Sequence, residues 1–155
     1  MQLAKLELLQ SASELIQAKL RLSIVQGMTG LTSEPLRKMW KEIHGDSPPT
    51  GKLPESALSY AKTVQMVRSL STIVLLHQRL HGTREITPKN LLSTWKAYSE
   101  LLGQSNPVDI NATYYVLRDV LRNILTVMSC NNCGVGYIYD RELTLTSRCP
   151  YCKGE

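Results

Sequence analysis

Apolar residues recur at three- and four-residue spacing along most of this chain, the signature of helices that bury one face. Leu3, Leu6, Leu9, Leu15, Ile16, Leu20 and Ile24 set a first helix from Leu3 to roughly Val25. Leu8 and Leu22 widen its stripe enough for two buried surfaces. The chain then breaks at Gln26-Gly27-Met28-Thr29-Gly30-Leu31. A second helix is predicted from Ser33 to Ile43, with Thr32 or Ser33 as N-cap, Pro35 in the first turn and Gly45 past the end. Its apolar face is Leu36, Met39, Trp40 and Ile43.

Three prolines and a glycine between Asp46 and Pro54 exclude a helix there and predict a stiff, extended connector. A third helix is expected from Glu55 or Ser56 to about His81, stopped by Gly82. The fourth has Thr87 as N-cap, Pro88 in first position and Gly103 past its end. The fifth runs from about Asn111 to Met128. Beyond Ser129 the character changes. Tyr137-Ile138-Tyr139 and Leu143-Thr144-Leu145-Thr146 flank the polar Asp140-Arg141-Glu142 and predict a short hairpin. The expected fold is mainly α: about five helices with a helix-turn-helix-like N-terminal part and a small C-terminal zinc-binding hairpin. Residues 1–128 form the expected helical domain and 129–155 the zinc-binding module.

All four cysteines lie in the last 26 residues, as C-x2-C, fifteen residues, then C-x2-C. A disulfide framework suits short secreted chains and usually spreads its cysteines. Two close pairs separated by a hairpin's length suit tetrahedral zinc instead, because each tight turn brings two thiolates to one ion. Cys130, Cys133, Cys149 and Cys152 are the expected ligands of one Zn2+. With four protein ligands no coordination position stays open for water or substrate, so the ion is expected to be structural. Free or redox-active thiols are the competing reading.

Composition narrows the classes further. Hydrophobic content of 43% and charged content of 20% suit a globular chain. No apolar run approaches the roughly 18 residues that cross a bilayer. Nothing at Met1–Glu7 resembles an export signal, so a cytoplasmic protein is expected. The net charge is +5 and uneven: +2 over residues 1–44, +4 over 45–96 and −1 over 97–155. A net positive charge attracts nucleic acid by releasing counterions from phosphate. Leu20 to Ile43 also fits a DNA-reading helix-turn-helix, with Ser33, Glu34, Arg37, Lys38 and Lys41 on the outer face of its second helix. Ser33, Arg37, Lys38 and Lys41 are therefore the candidate DNA contacts. The alternative is a helical hairpin with a solvated charged face. His77 and His81 stand four apart without the glutamate of a zincin, and are expected to be solvated or capping. No phosphate-binding loop and no nucleophile–base signature is present, so an enzyme is not expected.

Taken together, these residues carry a family resemblance. His44-Gly45-Asp46-Ser47-Pro48-Pro49-Thr50-Gly51-Lys52-Leu53-Pro54 resembles the proline-glycine connector of FlhC, the bacterial flagellar transcriptional activator. Leu36 to Ile43 resembles the helix leading into it, and Ser129 to Gly134 with Cys149 to Cys152 resembles its cysteine pairs. The resemblance implies a mostly helical protein with a four-cysteine zinc site. It implies a hetero-oligomer with a smaller helical partner, FlhD, that binds promoter DNA and recruits RNA polymerase. Related pairs activate transfer genes of conjugative elements, so the regulon could be flagellar or conjugative. Family members commonly continue well past the last cysteine, whereas this sequence ends three residues after Cys152, so contacts from such a tail are not expected. A zinc-stapled helical adaptor that meets acidic protein is the alternative function.

Overall fold

The computed structural model describes residues 2–82, 85–102 and 108–152. They hold six α-helices and one small hairpin. The helices are α1 (Gln2–Gln17), α2 (Leu22–Thr29), α3 (Ser33–His44), α4 (Val64–His81), α5 (Pro88–Leu102) and α6 (Ile110–Leu121). Strands β1 (Thr126–Ser129) and β2 (Gly136–Tyr139) pair antiparallel, with Val127 opposite Ile138. Residues 1–53 with 87–92 form one unit, and 54–86 with 93–155 a second. The expected class, mainly helical with a small C-terminal hairpin and cysteine cluster, is the one observed.

In the first unit, α1, α2 and α3 pack against one another. The long first helix predicted from the leucine pattern is in fact two. Lys19 adopts a left-handed φ of 68°, and the end is closed by Lys19 N–H to the Ile16 carbonyl (2.9 Å) and Leu20 N–H to the Leu15 carbonyl (3.1 Å). That is the Schellman arrangement, with fully buried Leu15 and Leu20 at its two apolar positions. The turn wins because it sends both leucines inward, where a straight helix would leave part of the wide stripe in water. The His44 ring donates from Nε2 to the same Ile16 carbonyl at 2.7 Å, adding a second bond to that acceptor of the α1 end. Between α2 and α3, Gly30 takes φ 73° and donates to the Gln26 carbonyl, leaving a three-residue turn.

In the second unit, the helix expected from Glu55 starts later. Ser56 caps a single 3-10 turn at Ala57–Ser59, and Thr63 caps α4 by accepting from Met66 N–H. Asp119 on α6 is wholly buried, accepts from the Ala57 amide at 2.6 Å and pairs with Arg118 at 2.8 Å. Helix α6 also ends earlier than its apolar pattern suggests. Asn123 turns left-handed (φ 59°), and Asn123 and Ile124 donate to the carbonyls of Val120 and Asp119 in a second Schellman closure. Asparagine tolerates that conformation better than most residues. Thr126–Met128, predicted as helix, is thereby released into β1 (Thr126–Ser129). The end of α5 predicted at Gly103 falls outside the described residues.

The hairpin is therefore displaced from its predicted place. Tyr137–Tyr139 is a strand, but it pairs with the segment before the first cysteine pair, not with Leu143–Thr146. Thr144–Thr146 is a 3-10 turn. The buried Thr146 hydroxyl donates back to the Asp140 and Leu143 carbonyls and accepts from Asp140 N–H. These bonds close the segment into a loop that turns toward the second cysteine pair.

Candidate metal centre and cationic groove

Each cysteine pair sits on a tight turn. At the first, Gly134 N–H donates to the Cys130 carbonyl (2.9 Å), Cys130 N–H donates to the Val135 carbonyl, and Gly134 takes φ 75°. Residues in that conformation are strained unless glycine, which is the role of the glycine behind the second cysteine. The second pair, Cys149-Pro150-Tyr151-Cys152, is held to α4. The Tyr151 hydroxyl lies 2.8 Å from Thr72 Oγ1, and β2 is fixed to the same helix by Ile138 N–H donating to Ser71 Oγ. Gly136 lies so close to α4 that a Cβ there would sit 3.0 Å from a Leu75 methyl.

The four sulfurs converge. All lie within 4.8 Å of one another, a group that could hold a metal ion. Cys130 and Cys152 sulfurs are 3.5 Å apart, and those of Cys133 and Cys149 3.7 Å. A disulfide needs about 2.05 Å. Four sulfurs each about 2.3 Å from a tetrahedral ion would be separated by about 3.8 Å, close to what is found. The donor set therefore fits a tetrahedral thiolate-binding metal. Asn132 donates from its amide to the Cys130 sulfur (3.4 Å) and from its side chain toward the Cys152 sulfur (3.6 Å). Donors of this kind orient and stabilise metal-bound thiolates. The sequence reading missed Asn132; its signal was a polar residue inside the first C-x2-C turn.

The thiols feel one another. Backbone groups of Cys133 and Asn132 hold the Cys130 thiol below its ordinary value. The Val135 backbone favours a thiolate at Cys133, but burial and the three neighbouring sulfurs outweigh it and push that thiol up to about 12. Like charges this close ionise together only beside a cation.

In the first unit a groove of about 610 Å3 runs between α3 and the connector. Ser33, Arg37 and Lys41 line it from α3, Leu22, Ser23 and Gln26 from α2, Arg21 from the N-cap of α2, and Ser47–Gly51 from the connector. Lys38 is exposed but does not line it. The four candidate DNA contacts are thus split, three facing the groove and one outside. Arg21 escaped the sequence reading because it lies in the turn that divides the predicted first helix.

His77 is buried, not solvated as expected. Its Nδ1 lies 2.6 Å from the Thr94 hydroxyl, and its ring centroid is 5.2 Å from that of His81. Burial, then the His81 charge, lowers its pKa to about 4. Among the described residues the four cysteines are the one metal-capable cluster.

Comparison with known proteins settles the relationship. Residues 3–155 match the family model described as "Flagellar transcriptional activator (FlhC)". The chain belongs to the FlhC family. It is 29% identical over 134 residues to the flagellar transcriptional regulator FlhC of Variovorax paradoxus (strain S110), covering 83% of this chain and 65% of that protein. It is 24% identical over 157 residues to the same-named protein of Cupriavidus metallidurans, covering 97% of this chain and 72% of that one. To that of Enterobacter cloacae it is 27% identical over 137 residues, 84% and 71% of the two chains. The chain thus spans between about two thirds and three quarters of the length of these FlhC relatives. Among the described residues no helix is long and apolar enough to cross a membrane.

Proposed function

We propose that this chain is the DNA-binding subunit of a bacterial transcriptional activator and not an enzyme. It works in the cytoplasm as a hetero-oligomer with an FlhD-like helical partner and recruits RNA polymerase to flagellar or conjugative-transfer promoters. The observation that carries this reading is the FlhC family match over residues 3–155. The α2–turn–α3 pair supports a helix-turn-helix, since its three-residue turn pivots on a left-handed glycine. We further propose that Cys130, Cys133, Cys149 and Cys152 hold one structural Zn2+, making residues 129–155 a metal-stapled module. The near-tetrahedral sulfur spacing supports this.

Co-purification with the product of the neighbouring reading frame, then gel-shift and footprinting on nearby promoters, tests the regulatory reading. A salt-sensitive, sequence-selective shift is expected. Lost regulation with DNA binding untouched would sink it. Native mass spectrometry should find one zinc per chain; four free thiols and no metal would defeat the zinc assignment.

A second reading is a zinc-stapled adaptor without direct DNA recognition. It is favoured by the N-terminal turns of α1, where Leu3 (76% exposed) and Leu6 (60%) stand in solvent. Standing i, i+3 on one helix face, they offer a contact surface for protein. The same gel-shift separates the two readings.

A further inference from the structure

Ser33, Arg37 and Lys41 are spaced i, i+4, i+8 on α3, so they form one stripe along the helix. That stripe does not stand alone. The connector residues Ser47–Gly51 line the same groove, and Arg21 lines it while bonded to the connector. The connector is a fixed wall. Pro48 and Pro49 restrict its backbone, and Arg21 donates from its guanidinium to the Gly51 carbonyl at 2.9 Å. Three lining side chains are cationic at neutral pH, and no carboxylate is among the lining residues. Hydroxyl and amide groups of Ser23, Gln26, Ser33 and Thr50 add hydrogen-bond donors. The groove therefore offers positive charge and donors between two rigid walls.

A helix that reads base edges enters the major groove with its reading face uncovered. Here that face shares a cleft with the connector. We propose that the cleft between α3 and the connector grips the sugar-phosphate backbone of one DNA strand, with Arg37 and Lys41 contacting phosphates and not bases. This rests on the DNA-binding reading above and assigns these residues to positioning within it, leaving sequence selection to other surfaces. Phosphate contacts fix register and carry no sequence information directly.

The test uses the full chain in complex with its partner, on promoter DNA and on a scrambled duplex, titrated with salt. Arg37→Gln with Lys41→Gln should weaken binding to both duplexes by similar factors. It should also lower the slope of log K against log salt by about 2, from roughly 0.9 per cation removed. The preference for promoter over scrambled DNA should stay the same. The charge-conserving pair Arg37→Lys with Lys41→Arg should keep both slope and preference, since phosphate accepts either cation whereas bidentate base reading does not. Both side chains are exposed, and unchanged thermal melts would show that folding is intact. An unchanged slope in the glutamine variant, beside a wild type that binds DNA, overturns the cleft assignment alone. A lost promoter preference overturns it too, by making these residues base readers. A wild-type complex with no salt-dependent DNA binding brings down the DNA-binding reading and the cleft together.

Discussion

The helices α1–α3 and the cysteine-bearing segment after α6 are built on different physical terms. In the first, Leu15, Ile16, Leu20, Val25 and Leu36 are completely buried, and Trp40 nearly so. Apolar burial at about 25 cal/mol per Å2 accounts for that order without help from a ligand. From Leu125 to Cys152, the fully buried apolar side chains of similar size are Leu125 and Ile138. All four residues of β1 are exposed. A two-stranded hairpin with so little core is marginal in water. What holds it is the packing of β2 on α4, the hydrogen bonds onto that helix through Ser71 and Thr72, and the sulfur cluster. One stretch is specified by side-chain volume alone; the other leans on α4 and on four converging sulfurs.

The largest expected effect comes from removing the zinc proposed for those four sulfurs. Structural zinc contributes roughly 10–16 kcal/mol of apparent binding energy in small zinc-finger peptides, enough to decide whether they fold. Cys149→Ser, or a strong chelator, should abolish the one-zinc stoichiometry. It should also erase hydrogen-exchange protection from β1 and β2 while α1–α3 stay protected. Retained protection in the hairpin would show that burial alone suffices there. The converse change is Leu36→Ala in the helical core. A fully buried leucine truncated to alanine costs about 2–5 kcal/mol. The thermal midpoint should fall while one zinc per chain is kept. A loss of zinc on this substitution would break the separation between the two regions.

The same division explains how far the sequence could be read. The cysteine site was legible because coordination chemistry prescribes residue type and spacing, whatever the surrounding fold. Helix interiors were legible because periodicity reports buried faces. What failed was punctuation without a glycine or proline to mark it. Lys19 and Asn123 both close helices in the left-handed conformation, and neither residue type announces it as glycine does. Each omission propagated. Missing Lys19 fused α1 with α2 and hid Arg21; missing Asn123 extended α6 over β1 and misplaced the hairpin. Thr146 was read as a strand residue because threonine favours strands, whereas its buried hydroxyl closes a loop. Strand propensity lost to a local hydrogen bond that a single sequence does not display.

A third effect, of intermediate size, concerns pH and the helix that carries the cysteine segment. His77 on α4 is held neutral by burial first and by the His81 charge second, with its pKa lowered to about 4 from 6.5. The unfolded chain binds a proton near the ordinary value, so between those limits it binds more protons than the folded one. Stability therefore rises with pH in that window: the contribution is fully present above about 6.5 and is lost as pH falls toward 4. A shift of this size corresponds to about 3 kcal/mol. Chemical denaturation at pH 7 and pH 4.5 should show a smaller loss in His77→Asn than in the wild type. Both proteins carry the same four cysteines, so the difference isolates the histidine. Equal losses would mean that His77 takes up its proton without cost.

The smallest effect probes the turn on which the helical region depends. Gly30 sits at φ 73° between α2 and α3, with nothing within 4 Å of where a Cβ would lie. The cost of Gly30→Ala is thus one of backbone conformation, not of collision. Placing a non-glycine residue in the left-handed region costs about 1 kcal/mol, and alanine also stiffens the unfolded chain, which offsets part of it. The stability loss should be near 1 kcal/mol or below, with zinc content unchanged. DNA binding gives this small change its value. If the α2–α3 angle sets how Arg37 and Lys41 meet phosphate, a strained turn should weaken DNA binding by more than the stability loss alone explains. If affinity follows stability, the groove is rigid through its connector wall, and Arg21 bound to the Gly51 carbonyl holds its shape.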